Sequence, residues 1–494
     1  MIYPSFREFK ALSGRGNLIP VYTELLADLE TPLSAYMKVG NTTNSFLLES
    51  VEGGERWARY SFIGSDPDRI FVADKDSARI YENGKKIRED RTSDPIMLLE
   101  EIMKGYVPVI PENLPYFTGG AVGYIGYDWA KRLENIPDAS TDRLFLPEAV
   151  FVITDTILVF DNVRHKIIAI ANAFLKDEPV AKAYSNAVKK LEKILKGLKK
   201  PLQYKFKKTS ASRQSAFTSN FNKKQFVKIV EKTKKYIEEG EIIQAVLSQR
   251  FESNIKTEPL DVYRALRIIN PSPYMYYLNF KDAIMAGSSP EILVRLNGKD
   301  MTLRPIAGTR PRRGNADEDK RLSEELISDP KERAEHIMLV DLGRNDLGRV
   351  AEPGSVRISE LMSVEKYSHV MHLVSTVTGR IQSEKNCFDL LRASFPAGTV
   401  TGAPKIRAMQ IIESLEKTKR GPYAGAVGYF GFNGNMDMAI TLRTVLFSGG
   451  KVRIQAGAGI VYDSVPEREY EETVNKAMGM KKAVEMAGSK LMNA

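Results

Sequence analysis

One cysteine, Cys387, is all the thiol this 494-residue chain has, so no internal disulfide can form and thiolate-rich metal sites are excluded. A reducing compartment is the expectation. Histidine is scarce as well, with four in the chain, which leaves carboxylate oxygens as the main resource for binding a cation. No run of eighteen apolar residues occurs, and the opening MIYPSFREFK has no basic segment leading into an apolar one. Neither a membrane span nor a secretory signal is expected, and the cytoplasm is the expected location. The phosphate-loop pattern GxxxxGK[ST] is missing too. What is present is core-forming material, 43% of residues, enough for one large or two to three ordinary domains.

The formal net charge is +10. Much of that excess sits in LEKILKGLKKPLQYKFKKTS, with Lys193, Lys196, Lys199, Lys200, Lys205, Lys207 and Lys208 but only Tyr204 and Phe206 as aromatic platforms. A solvated linker is expected there, with no nucleic-acid partner. A basic chain also suits a small anionic substrate. The polar stretch from about Lys196 to Asn220 marks the main boundary, giving an N-terminal domain at 1–200, a linker at 201–220 and a C-terminal domain at 221–494.

After that boundary NKKQFVKIVEKTKKYIEEG reads as a capped helix, with Asn222 as N-cap, Gln225 three residues on and Gly240 as terminator. Strand-like runs alternate with helical ones: FVITDTILVF at 151–160, and KVRIQAGAGIVY at 451–462 behind the hairpin signal Gly449-Gly450. The class is therefore mixed α and β. GAVGYIG at 120–126 returns as GAVGYFG at 425–431, either related strand-turn units in two halves or glycines where backbones pack closely.

Acidic clustering in a basic chain asks for a reason. In PEREYEET, Glu469 and Glu472 stand three apart, and in DPKERAEH so do Glu332 and Glu335. On a helix each pair shares a face, and four convergent carboxylates need a cation, for which Mg2+ is the natural choice. FPAGTVTGAPK offers backbone amides around Gly398, Thr399 and Gly402, with Lys405, as an anion cradle or as a tight turn into a helix. In MDMAITLRT, alternation predicts a strand that buries Ile440 and Leu442 and presents Thr441 and Arg443 to the other face, where an arginine suits a carboxylate. Among the histidines, His336, His369 and His372 lie close in sequence, as core residues or, at His372, as a proton donor.

Taken together LLES, NPSPYMYY, PIAGTRPRR, DPKERAEHIMLVDLGRNDLGRV, VMHLVS, FPAGTVTGAPK, AITLRT and AGAGIVYDSVPEREYEET resemble the anthranilate synthase component I family of chorismate-utilising enzymes. The resemblance covers nearly the whole chain. It implies an α+β fold, with antiparallel sheets in a sandwich-like core and helices packed outside. It also implies Mg2+ on Glu332, Glu335, Glu469 and Glu472, a proton donor in His372, and chorismate contacts from Thr399, Tyr423, Arg443, the Gly457, Ala458 and Gly459 backbone, and Lys476. Glu467 and Glu471 match no ligand of the family and are expected to face solvent.

Related activities differ at two positions. Aminodeoxychorismate synthases carry PIKGT with a lysine nucleophile, whereas Ala307 in PIAGT here cannot attack. Isochorismate and salicylate synthases place a water-activating lysine where this chain has Gln244, an amide that cannot act as that base, so ammonia is the expected nucleophile. The resemblance further implies a tryptophan feedback site from Leu48, Glu49, Ser50, Asn270, Pro271, Tyr274 and Met275. No glutaminase elbow surrounds Cys387, so ammonia from glutamine is expected from a partner amidotransferase, component II. A non-catalytic amino-acid sensor or nucleic-acid binder is the alternative from another class, and aminodeoxychorismate synthase component I the alternative within the family.

Overall fold

The computed structural model describes residues 1–50, 59–175, 178–202, 217–312, 314–367 and 370–487. Lys205, Lys207, Lys208, Tyr204 and Phe206 of the basic segment, Arg313 of PIAGTRPRR, and His369 lie outside the described residues.

Two large antiparallel sheets form the body. In spatial order the first runs through Leu18–Leu26, Lys166–Phe174, Thr156–Asp161, Tyr60–Gly64 and Ser45–Glu49, then crosses to Tyr274–Asn279, Ile284–Ser289, Thr444–Ser448, Lys451–Ile460, Gln244–Ser253 and Thr218–Ser219. The second runs through Ile306–Pro311, Val370–Arg380, Asp300–Leu303, Ile292–Asn297, Met436–Ile440 and Ala426–Gly431, then crosses to Gly120–Ile125, Ala149–Thr154, Arg69–Asp74, Ser77–Glu82 and Lys85–Arg91. Both sheets therefore contain strands from before and after the sequence boundary.

Alternation along the strands explains why the sheets stack. Val427, Tyr429 and Ala439 point inward to join Phe46, Phe62, Tyr276 and Leu278 of the facing sheet, while Phe430, Met436 and Met438 point outward to a helix-covered core. Helices packed on the sheets include α1 (Val180–Leu198), α2 (Lys223–Glu238), α3 (Pro259–Ile269), α4 (Pro330–Gly348), α5 (Lys405–Glu416) and α6 (Pro466–Ala487). Residues of α1, α3 and α6 cover the first sheet, as do Ala408, Ile411 and Ile412 of α5 against Ala245 and Leu247, and Val340 and Leu347 of α4 cover the second. This is the expected α+β sandwich.

Local signals hold where the chain is regular. Asn222 and Gln225 form a reciprocal capping box on α2, and Gly240 has φ +74°. Gly449 and Gly450, both at positive φ, turn Ser448 back onto Lys451, as a two-residue hairpin requires. The repeated GAVGY strands pair with each other, Gly428 opposite Gly123 and Gly431 opposite Gly120. A β-carbon on Gly123 would lie 1.8 Å from the Val150 carbonyl oxygen, and one on Gly428 2.0 Å from that of Asp437, so bare backbone is needed on both sides of the seam.

Three expectations are corrected. The run 151–160 is two strands in different sheets, joined at Asp155. Met436–Ile440 likewise stops before Thr441, and the chain crosses to the other sheet through Thr441–Arg443, with Arg443 at φ +46°. Arg443 is thus a corner residue and not a strand residue, and Thr441 is buried at 1% exposure. The stretch read as structure-poor from Lys196 begins inside α1, which continues to Leu198, because Leu191 and Leu198 are buried on its inner face.

Candidate active site and a second pocket

The carboxylate pairs sit on α4 and α6 as their spacing predicts. Burial, then the neighbouring Glu332, raises the Glu335 carboxyl above its usual range. Burial, then a Ser464 hydrogen bond that opposes it, then Glu472, sets the Glu469 carboxyl, also raised. Lys331 and Lys476 act on both Glu335 and Glu469, so the two helices bring their acidic faces to shared cations. Glu332 is further engaged by Arg310 at 3.2 Å and Glu472 by Lys476 at 2.7 Å. Among the described residues no three acidic, histidine or cysteine side chains form a ready metal cage. Glu467 and Glu471 are exposed, the latter 3.2 Å from Lys223.

Beside this acidic face lies Gln244, the first residue of its strand. Its Nε2 donates to Glu335 Oε1 at 3.3 Å, while its buried Oε1 has no partner among the described residues. A β-carbon on Gly459 would come within 2.5 Å of the Gln244 Nε2, so the glycine leaves that amide its place. Gly457 and Gly459 pair with Ser248 and Val246, and Ala458 between them turns into the core with Phe226 and Leu247. Lys476 Nζ donates to the Gly457 carbonyl at 3.2 Å, joining α6 to this strand.

His372 lies on Val370–Arg380 at 8% exposure. Its Nδ1 is 2.9 Å from the Gly308 carbonyl and 3.1 Å from Thr309 Oγ1. A carbonyl only accepts, so Nδ1 carries the hydrogen and Nε2 the lone pair of the neutral ring. Burial lowers the His372 pKa, Gly308 opposes this, and Arg443 and Lys476 lower it further. Ala307 is buried in the neighbouring strand opposite Leu373.

A residue that spacing did not reveal completes the group. Glu291, in the Ser289-Pro290-Glu291 corner, is 7% exposed, and burial pushes its carboxyl up to about 8. Thr399, the Ile306 backbone, Arg443 and Lys476 pull the other way. The Thr399 hydroxyl sits beside that carboxyl without hydrogen-bond geometry and has no other partner among the described residues. Arg443 and Lys476 are thus within electrostatic reach of both His372 and Glu291. The Tyr423 hydroxyl closes over Gly457 from one side. Lys405 does not join them: its ammonium pairs with Asp346 at 2.8 Å, which removes it from the anticipated anion cradle. His336 is a core residue, wholly buried and 2.6 Å from Ser375 Oγ, and burial lowers its pKa to about 4.

A second pocket opens between the sheets, lined by Leu48, Glu49, Ser50, Tyr274 and Met275 and closed by Tyr60, Tyr429 and Asp437. Strand register puts Glu49 opposite Met275 and Leu48 opposite Tyr276, which unites two motifs over two hundred residues apart. Glu49 is buried; Tyr263 donates to its Oε2 at 2.5 Å and Arg267 Nε lies 3.3 Å away. Burial raises the Glu49 pKa. At the pocket floor Tyr274 donates to Asp437 at 3.0 Å and receives from Arg295 at 3.1 Å. Asn270 and Pro271 do not line this pocket, and Asn270 instead meets Arg443.

Residues 44–482 match the family of chorismate binding enzymes. Anthranilate synthase component 1 of Acetivibrio thermocellus is 48% identical, with 99% of each chain covered, and that of Aquifex aeolicus is 49% identical, with 98% of each covered. Among solved structures, anthranilate synthase component I from Streptococcus pneumoniae superposes with TM-score 0.77 at 38% identity, covering 92% of this chain and 99% of its own. The menaquinone-specific isochorismate synthase of Escherichia coli, at 19% identity and TM-score 0.69 over 97% and 98% of the chains, shares the fold. Full-length similarity and the shared sandwich agree, and the chain belongs to the chorismate binding enzyme family.

Proposed function

We propose that this chain is the large subunit of an anthranilate synthase, which converts chorismate and ammonia to anthranilate and pyruvate in tryptophan biosynthesis and is inhibited by tryptophan. The observation that carries the reading is the common neighbourhood of Arg443, Lys476, His372 and Glu291. A dicarboxylate substrate matches two cations, and the departure of a hydroxyl needs a proton donor.

Arg443 and the amides around Gly457 to Gly459 orient the enolpyruvyl carboxylate, and Lys476 faces the ring carboxylate. Glu291 holds its proton at neutral pH, since burial keeps its pKa near 8. His372 is neutral in the substrate-free protein, because burial and the two cations disfavour imidazolium. Substrate carboxylates that neutralise Arg443 and Lys476 relieve that repulsion and let His372 take up a proton. Ammonia forms a carbon–nitrogen bond to the ring as the ring hydroxyl leaves as water with the donated proton. Loss of a ring proton, with departure of the enolpyruvyl group as pyruvate, then makes the ring aromatic. The unpaired Oε1 of Gln244 can accept a hydrogen bond from ammonia but cannot deprotonate water.

Glu332, Glu335, Glu469 and Glu472 are the residues that would hold Mg2+. The fit lies in burial and, within each pair, mutual repulsion, which together raise Glu335 and Glu469 and which a cation relieves. Bound there, Mg2+ supplies Lewis-acid neutralisation of the substrate's ring carboxylate.

The test is purified protein with chorismate, Mg2+ and an ammonium salt, read by anthranilate fluorescence. Aminodeoxychorismate, salicylate or isochorismate as sole product overturns the assignment. Glutamine replaces ammonium only when an amidotransferase subunit is added.

A further inference from the structure

Helix α3 reaches both pockets with different residues. From its middle and its last turn, Tyr263 and Arg267 hold the Glu49 carboxylate of the second pocket. At its C-terminal end Asn270 caps the helix and accepts a hydrogen bond at Oδ1 from Arg443 Nη1 at 3.2 Å. Asn270 Nδ2 donates to Ser288 Oγ at 2.8 Å, and Ser288 returns a bond to the Asn270 carbonyl.

Two features make this a mechanical link. Val262, Tyr263, Ala265 and Leu266 are fully buried, so α3 is tightly packed and any shift is of the helix as one piece. Arg443, in contrast, sits at the crossing between the sheets with left-handed φ, outside any ladder. The contact with Asn270 therefore bears directly on where its guanidinium points.

We propose that Asn270 is a positioning residue that holds Arg443 in its carboxylate-binding orientation, and that α3 carries the occupancy of the Glu49 pocket to Arg443. The inference rests on the proposed function and specifies the regulation of that same site. An amino-acid ligand whose ammonium pairs with Glu49 competes with Tyr263 and Arg267 for the carboxylate. Release of either contact changes the seating of α3, and Asn270 with it. By linkage, chorismate on Arg443 weakens the ligand at Glu49 by the same factor.

Wild-type anthranilate production and its tryptophan inhibition, measured first, test the functional reading; the variants test the link. Asn270→Ala is expected to raise the chorismate KM about ten-fold, the size of a lost hydrogen bond to a charged group, with kcat within about two-fold. Asn270→Asp keeps the oxygen that faces Arg443 and is expected to restore KM. Tyr263→Phe is expected to shrink the factor by which saturating tryptophan changes the chorismate KM. A wild-type KM in Asn270→Ala, or equal impairment in the Ala and Asp variants, overturns the positioning role. An unchanged tryptophan factor in Tyr263→Phe overturns the coupling. Thermal melts of all three variants separate these effects from misfolding.

Discussion

The Tyr423 hydroxyl lies 2.8 Å from where a β-carbon on Gly457 would stand, and the Leu247 carbonyl oxygen is equally close. One of these neighbours is main chain and cannot turn aside. Gly457→Ala is therefore expected to cost about 1–3 kcal/mol of stability through overpacking and to push the Tyr423 hydroxyl off the substrate. Chorismate KM should rise more than kcat falls, as steady-state kinetics at matched protein concentration will show. An unaltered KM would remove Tyr423 and Gly457 from the substrate wall.

Glu291 ties activity to pH. Its folded pKa is raised to about 8, so the protonated form prevails below that value and is lost above it. With Glu291 as a required acid, kcat/KM should decline as pH rises through about 8, in a profile recorded from pH 6 to 10. Glu291→Gln keeps the shape but has no proton to give, and should lose on the order of 10²-fold in kcat. A Gln variant with wild-type turnover would assign Glu291 to packing alone.

The carboxylate pairs should behave as a unit. Glu335→Gln and Glu472→Gln are each expected to abolish turnover while circular dichroism stays native, and to abolish the Mg2+ titration signal seen by calorimetry. Wild-type rates in either variant would leave the pairs as helix-surface residues.

Ser50 lines the second pocket with a buried hydroxyl that has no partner among the described residues. Ser50→Phe should fill that space, raising the tryptophan concentration for half-inhibition at least about ten-fold, a loss of roughly 1.4 kcal/mol. Chorismate turnover should be largely kept. Unchanged inhibition would take Ser50 out of the pocket.

Local grammar was legible and long-range placement was not. The α2 capping box, the Gly449-Gly450 hairpin and the two glutamate spacings depend on neighbours within four residues, and each stands as read. LLES and NPSPYMYY could be joined only through family resemblance, because their pairing is set by strand register. Arg443 was misread because alternation carries no mark of where a chain leaves one sheet for another. Glu291 was missed because its proton is held by burial under distant elements, and SSPE by itself has no helical or strand period to betray it. Lys405 looked free for an anion because Asp346, its partner, is fifty-nine positions away.

The seams Ser45–Glu49 with Tyr274–Asn279 and Gly120–Ile125 with Ala426–Gly431 have a thermodynamic consequence. A chain made of two separately stable halves melts in two steps. Here neither half can lose its sheets without stripping hydrogen bonds from the other, so a single cooperative transition is expected, and agreement of the calorimetric and van't Hoff enthalpies would check it. Damage near either pocket is then felt as a lower melting temperature of the whole molecule.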